Sequence, residues 1–218
     1  MMILFNGPNT PFGRLALATA LELGIAVENR VINVYGADFL DAVNPLRQIP
    51  TLVLEDERAL FDSRVICAYF ASLRPEAGFA PASDWTVQTR CSLATGLMEA
   101  SVARTMELRR QPAERNMAAV AKLDQRVARA VAALEAEADE ICEAKARIDR
   151  LAAAVALEYI DFRAVGDWRG SAPRLARWLE SETARPSLAS SRPYDIAPDA
   201  AGGDRSALPP RTTGNTPR

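Results

Sequence analysis

Histidine is absent from all 218 residues. Its absence excludes Ser–His and Cys–His nucleophiles, histidine general bases and histidine metal ligands together. Cysteine is scarce. Cys67, Cys91 and Cys142 lie far apart, form no C-x-x-C pair, and each sits in an apolar helical context (VICAYF, TRCSLA, DEICEA). They read as packed or half-buried thiols, and no metal is expected. Lysine is limited to Lys122 and Lys145 among 26 basic residues, and the net charge is only −2, so nothing draws the chain toward nucleic acid or an anionic membrane. No run approaches the roughly 18 apolar residues of a membrane span. The apolar stretch Met1–Phe5 is too short for a secretory signal, and polar NGPNT follows it. A cytoplasmic protein without nucleic-acid or membrane partners is expected.

What is present is an ordinary globular balance, 49% apolar and 25% charged, enough for one large domain or two small ones. Short apolar runs alternate with helical patterns at first. MILF (2–5) reads as a strand. Pro11 to Leu23 reads as a helix, opened by Pro11 and stopped by Gly24. VENRVINV (27–34) alternates as a strand, 38–43 suits a short helix, and TLVL (51–54) and ALF (59–61) are strands around the charged turn EDER. Asp62 or Ser63 then caps the helix SRVICAYFASL. The order is β-α-β-α-β-β-α. Pro75, Gly78 and Pro81 mark a linker, and only helices follow: 85–110, broken by Pro112, then 113–138, the nearly all-apolar LAAAVALEYIDF (151–162), which suits the centre of a bundle, and 173–182. The expected divisions are 1–75, a linker at 76–83, a helical domain at 84–194 and a disordered tail at 195–218.

One stretch, NPLRQIPTLVLEDERALFDSR, puts Pro50 at the mouth of a strand, where a proline cannot donate to the ladder. With TPFGR (10–14), LFDSRVICAYF, EYIDFR (158–163) and ARPS (184–187), it resembles the glutathione S-transferase family over about residues 2–194. The resemblance implies a thioredoxin-like βαβαββα domain followed by an all-helical domain, glutathione as co-substrate, and a homodimer with Phe39, Arg64 and Arg90 as contacts. It implies a cis bond before Pro50, with the Ile49 backbone pairing glutathione like an added strand. Asp62 would meet the γ-glutamyl ammonium, Ser63 and the helix start its carboxylate, and Gln48 the glycyl end. Other readings of the same residues stand beside these: Pro50 as an edge-strand start, Asp62–Ser63 as a plain cap worth about 1 kcal/mol, and Arg47 and Gln48 as solvated side chains.

A transferase must ionise the glutathione thiol. A free thiol of pKa about 8.5 is only about 3% thiolate at pH 7. One hydrogen bond to a charged group contributes about 1.5–3 kcal/mol, roughly one to two pKa units. Thr10, where relatives carry Ser or Cys, is the implied donor, with Asn9 or Asn6 as amide alternatives; Thr10 also fits as a simple N-cap. An apolar second substrate would lie between Phe12 and the helix carrying Met98, Val102, Thr105, Met106 and Arg109, residues that equally suit packing within a bundle. The family's central helix opens with a Ser/Thr cap and an Asp three residues on, whereas Arg147 and Arg150 stand there, a departure that neither can repair as an acceptor. The resemblance thus implies conjugation of glutathione to hydrophobic electrophiles in detoxification. It also admits a non-catalytic binding protein on the same fold, or a dehalogenase, ether lyase or isomerase.

Overall fold

The computed structural model describes residues 1–195. The expected disordered tail lies outside them except for Asp195. The chain opens with β1 (Ile3–Asn6), α1 (Pro11–Glu22), β2 (Glu28–Val31), β3 (Thr51–Val53), β4 (Ala59–Leu60) and α2 (Ser63–Ser72). The strands run in the order β2-β1-β3-β4, β2 parallel to β1 and the other pairs antiparallel. Side-chain alternation sorts β1 onto two faces. Leu4, in register with Leu52, joins the core shared with α1 and α2, while Ile3 and Phe5 join Ile32, Leu40 and Val53 on the other face. This is the thioredoxin-like layout expected.

Residues 38–43 are not the α-helix expected. They form a short 3-10 turn, Asp38–Ala42, after another at Val34–Gly36. The turn drops Leu40 and Phe39 onto the face of β1 that carries Phe5, with the Phe5 and Phe39 rings 5.1 Å apart. Gly24 ends α1 with φ +61°, a conformation that other residues rarely adopt.

Among the described residues only helices follow: α3 (Trp85–Arg109), α4 (Met117–Ala136), α5 (Ala138–Cys142), α6 (Ile148–Phe162), α7 (Pro173–Glu182) and α8 (Pro186–Ala189). The helix expected from residue 113 starts only after Asn116, whose carboxamide accepts the Ala119 N–H at 3.0 Å, and it breaks at Glu137 to leave α5 as a separate turn. α8 lies beyond the expected set. As expected, α6 forms the centre and buries eleven of its fifteen residues. Its entrance solves the capping problem differently from the family pattern. Asp149 accepts the Arg150 N–H at 3.0 Å and pairs with Arg147 at 2.6 Å, and the Ile148 N–H donates to the Phe79 carbonyl at 2.9 Å. A carboxylate in the first turn also suits the helix dipole. Arg150 turns back to the Ala144 carbonyl and Glu182. Arg90, expected at a subunit contact, is 6% exposed and held inside one chain by Glu137, Glu140 and Asp149.

The first half is joined to the bundle through a buried ion pair. Arg14 of α1 donates to Glu158 of α6 at 2.6 Å and to the Leu188 carbonyl at 3.1 Å. Burial pushes the arginine pKa down and the glutamate pKa up, each against the pull of its partner. A buried pair of this kind adds little net stability, yet removing one member strands the other charge. Glu158→Leu alone is therefore expected to cost about 3–5 kcal/mol in urea unfolding. Adding Arg14→Met should recover most of that loss. A double variant whose loss equals the sum of the single losses would contradict this coupling.

Candidate functional site

The loops before β3 and after β4 meet α1 and α3 at one cavity of about 690 Å³, whose lining does not include Asn9 or Thr10. Gln48, Ile49 and Pro50 line one side, and Asp62 and Ser63 another. Phe12, Thr95 and Glu99 complete it from α1 and α3. The Ile49–Pro50 bond is cis. The Ile49 side chain turns inward until its Cδ1 lies 2.8 Å from where a Cβ on Gly7 would stand. Among the described residues, neither backbone group of Ile49 has a hydrogen-bond partner. The loop owes its shape to Asn44, which no reading of the sequence singled out. Its buried amide donates to the Gln48 carbonyl at 3.0 Å and the Thr51 hydroxyl at 2.9 Å, and its oxygen accepts the Leu46 N–H at 3.0 Å. The available signal was the Asn-Pro dipeptide, since asparagine folds such turns with its own side chain.

Asp62 is the cap of α2. It accepts the Arg64 N–H at 2.9 Å and pairs with the Arg64 guanidinium at 3.2 Å. Burial pushes its carboxyl pKa up, but the hydrogen bonds to the Arg64 side chain and backbone outweigh this and hold it below the usual range. Ser63 is the first helical residue and is buried beside it. The cavity therefore offers a carboxylate, a hydroxyl and a helix start on one wall, and unpaired backbone on the other. Gln48 is exposed at its edge, and Arg47 is spoken for by Asp41 and Asp38.

Thr10 stands at the cap of α1 yet makes no side-chain cap bond. Its methyl fills the notch between Gly7 and Gly13, 3.0 Å from where a Gly13 Cβ would stand. The hydroxyl therefore occupies a different staggered position, pointing away from that notch. Asn6 is structural: its amide oxygen accepts the Gly7 N–H at 2.7 Å and its nitrogen reaches Asn29 at 3.2 Å. The Asn9 amide donates to Asp195 at 2.9 Å.

With this geometry in view, comparison with known proteins is direct. Residues 4–78 match the glutathione S-transferase N-terminal domain. Along nearly its whole length the chain is similar to a glutathione transferase family member from Pseudomonas fluorescens Pf-5, solved with bound glutathione: 31% identity, 89% of this chain and 100% of that one, TM-score 0.79. The chain belongs to the glutathione S-transferase family. It is also similar to a glutathione S-transferase from Methylobacillus flagellatus KT with glutathione bound (27% identity, 89% and 100% covered, TM-score 0.83). A curated relative is the uncharacterized GST-like protein YibF of Escherichia coli K12, 27% identical over 199 residues, 88% of this chain and 98% of that one.

In this family member the residues expected around a second substrate divide. Phe12 lines the cavity. Thr95 and Glu99 line it from α3, and Val102, Met106 and Arg109 continue the same helical stripe at spacings of three and four. The Thr105 hydroxyl is turned back onto the Ser101 carbonyl. Met98 is fully buried with Ala94 and Leu97, on the face that packs against the bundle, so the pocket expected of it is core instead. The cysteines are core or half-buried, as read. Burial pushes Cys67 up to about 12 and Cys91 up to about 11, so both stay thiols at neutral pH. Among the described residues, no helix is long and apolar enough to cross a membrane, and no cluster of three or more acidic or cysteine side chains is placed to hold a metal.

Gly13 is the tightest constraint under this loop, because a Cβ there would sit 1.6 Å from the Asn6 amide oxygen. Gly13→Ala is expected to force Asn6 off the Gly7 N–H and to cost about 1–3 kcal/mol. Thermal unfolding should show the loss, and it should shrink when Asn6→Ala is added. A Gly13→Ala protein as stable as the wild type would refute the contact.

Proposed function

We propose that the protein is a glutathione transferase that joins glutathione to small, largely apolar electrophiles in the cytoplasm, as in detoxification. One observation carries this reading. A single cavity is lined by Ile49, whose backbone is unpaired among the described residues, by the Asp62–Ser63 helix start, and by Thr95 and Glu99 of α3. Glutathione pairs its cysteinyl unit with Ile49 as an added strand. Its γ-glutamyl carboxylate meets Ser63 and the first N–H groups of α2, and its ammonium meets Asp62, which its low pKa keeps ionised. Gln48 serves the glycyl end. The thiolate sulfur then attacks the electrophilic carbon. A C–S bond forms, the leaving group departs with its electron pair, and the thiol proton has already passed to solvent.

Thr10 is the favoured thiolate donor, since its hydroxyl does not cap the helix and the Asn9 amide is taken up by Asp195. Thr10→Val keeps the shape and removes the donor. It should raise the pKa of bound glutathione by about one to two units and cut turnover at pH 7 about tenfold or more, whereas Thr10→Ser should retain both. Thiolate absorbance against pH reads the pKa. An unchanged pKa in Thr10→Val, with a shift in Asn9→Ala, would assign the donor to Asn9. Wild-type turnover at background with firm glutathione binding would make this a binding protein.

We also propose a homodimer, using the face of α2 and α3 where Arg64 and Trp85 border a groove of about 720 Å³. Light scattering should report about twice the 23.7 kDa chain mass at micromolar concentration. A single-chain mass would contradict it.

A further inference from the structure

The last described residues return over the loop that carries Thr10. The Tyr194 N–H donates to the Pro8 carbonyl at 3.1 Å. The Asp195 carboxylate then meets donors from three separate parts of the chain. The Asn9 amide lies at 2.9 Å, Arg163 Nη1 reaches both oxygens at 2.9 and 3.0 Å, and Arg109 Nη2 stands at 4.0 Å. Asn9 directly precedes Thr10, Arg163 follows α6, and Arg109 ends the α3 stripe that begins at the cavity with Thr95 and Glu99.

Arg163 is built into this place. Its side chain is only 8% exposed, its guanidinium lies 4.1 Å above the Phe162 ring and 5.7 Å from the Tyr159 ring, and its buried Nε has no partner among the described residues. A guanidinium so deeply buried calls for an anion, and its planar fork suits a carboxylate. The carboxylate that answers it is itself 56% exposed and so open to competition from a free anion.

We propose that Asn9, Arg109 and Arg163 form a carboxylate subsite that selects acidic electrophiles, with Asp195 as its internal occupant. The ligand's carboxylate takes the place of Asp195, and its reactive carbon then lies along the α3 stripe beside Thr10. The word electrophile rests on the transferase reading above; the anion site does not. A tethered carboxylate competes at an effective concentration on the order of millimolar, so its removal should expose the subsite to free ligands.

The test uses the full chain saturated with glutathione and two unreactive probes of matched shape, 3-nitrobenzoate and 3-nitrobenzamide, measured by calorimetry. Asp195→Ala should raise the ratio of benzoate to benzamide affinity about tenfold or more. Arg109→Gln, an exposed change that spares the core, should reverse most of that gain in the Asp195→Ala background, and Arg163→Met should reverse it further. An unchanged ratio in Asp195→Ala, or a gain that survives Arg109→Gln and Arg163→Met, would overturn the proposal. If the ratio responds as expected while no electrophile is turned over, the subsite stands and the conjugation reading falls.

Discussion

Arg14 and Glu158 form the contact on which the arrangement of the site depends. α1 carries Thr10 at its head, and Arg14, one turn further on, ties that helix to Glu158 in α6, to the Leu188 carbonyl and to Ser191. At the other end of α1, Glu22 pairs with Arg185 at 2.5 Å and bonds Ser187. Burial pushes the Glu22 pKa up, but the hydrogen bonds from Arg185 and Ser187 outweigh it and keep the group ionised. One helix is thus fixed at both ends to the bundle. The loop above it is therefore held in register with the α3 stripe and with Tyr194 and Asp195. Such buried pairs are valued more for fixing a unique arrangement than for net stability, a role they fill in some systems.

The residues around the cavity fit a chain that lacks histidine and keeps its thiols un-ionised. What remains for chemistry is hydroxyls, amides, helix starts and arginines. A hydroxyl held at a helix entrance is sufficient in magnitude, because one charge-assisted hydrogen bond spans the gap between a free thiol and one about half ionised at neutral pH. The arginines do the complementary work, since each is permanently charged and those at the buried junctions, Arg14, Arg90, Arg150 and Arg185, are matched with carboxylates.

Where a local signal sets the structure, the sequence was readable. Pro11 and Gly24 bracket α1, the apolar run of α6 announces its burial, and Asp62 caps α2 through its own side chain. Pro50 was readable only through its neighbours in a family motif. What escaped reading depends on long-range contacts. Arg147 and Arg150 look like failed caps until Asp149, between them, is seen to do the accepting. Arg90, expected at a subunit contact, is instead enclosed within one chain by Glu137, Glu140 and Asp149. Met98 differs from Glu99 by a single residue, yet that step of about 100° carries it from the cavity into the core. Asp195, read as the start of a tail, meets partners up to 186 residues away, beyond the reach of any local pattern.

The central claim is that glutathione lies across this cavity as an added strand on Ile49 with its carboxylate at the start of α2. Backbone amide hydrogen exchange, measured residue by residue with and without saturating glutathione, tests it most directly. The account predicts marked slowing at Ile49 and Ser63, the two amides that the bound peptide would occupy. Saturable glutathione binding that leaves both amides exchanging at their free rates, with protection elsewhere on the surface, would contradict it.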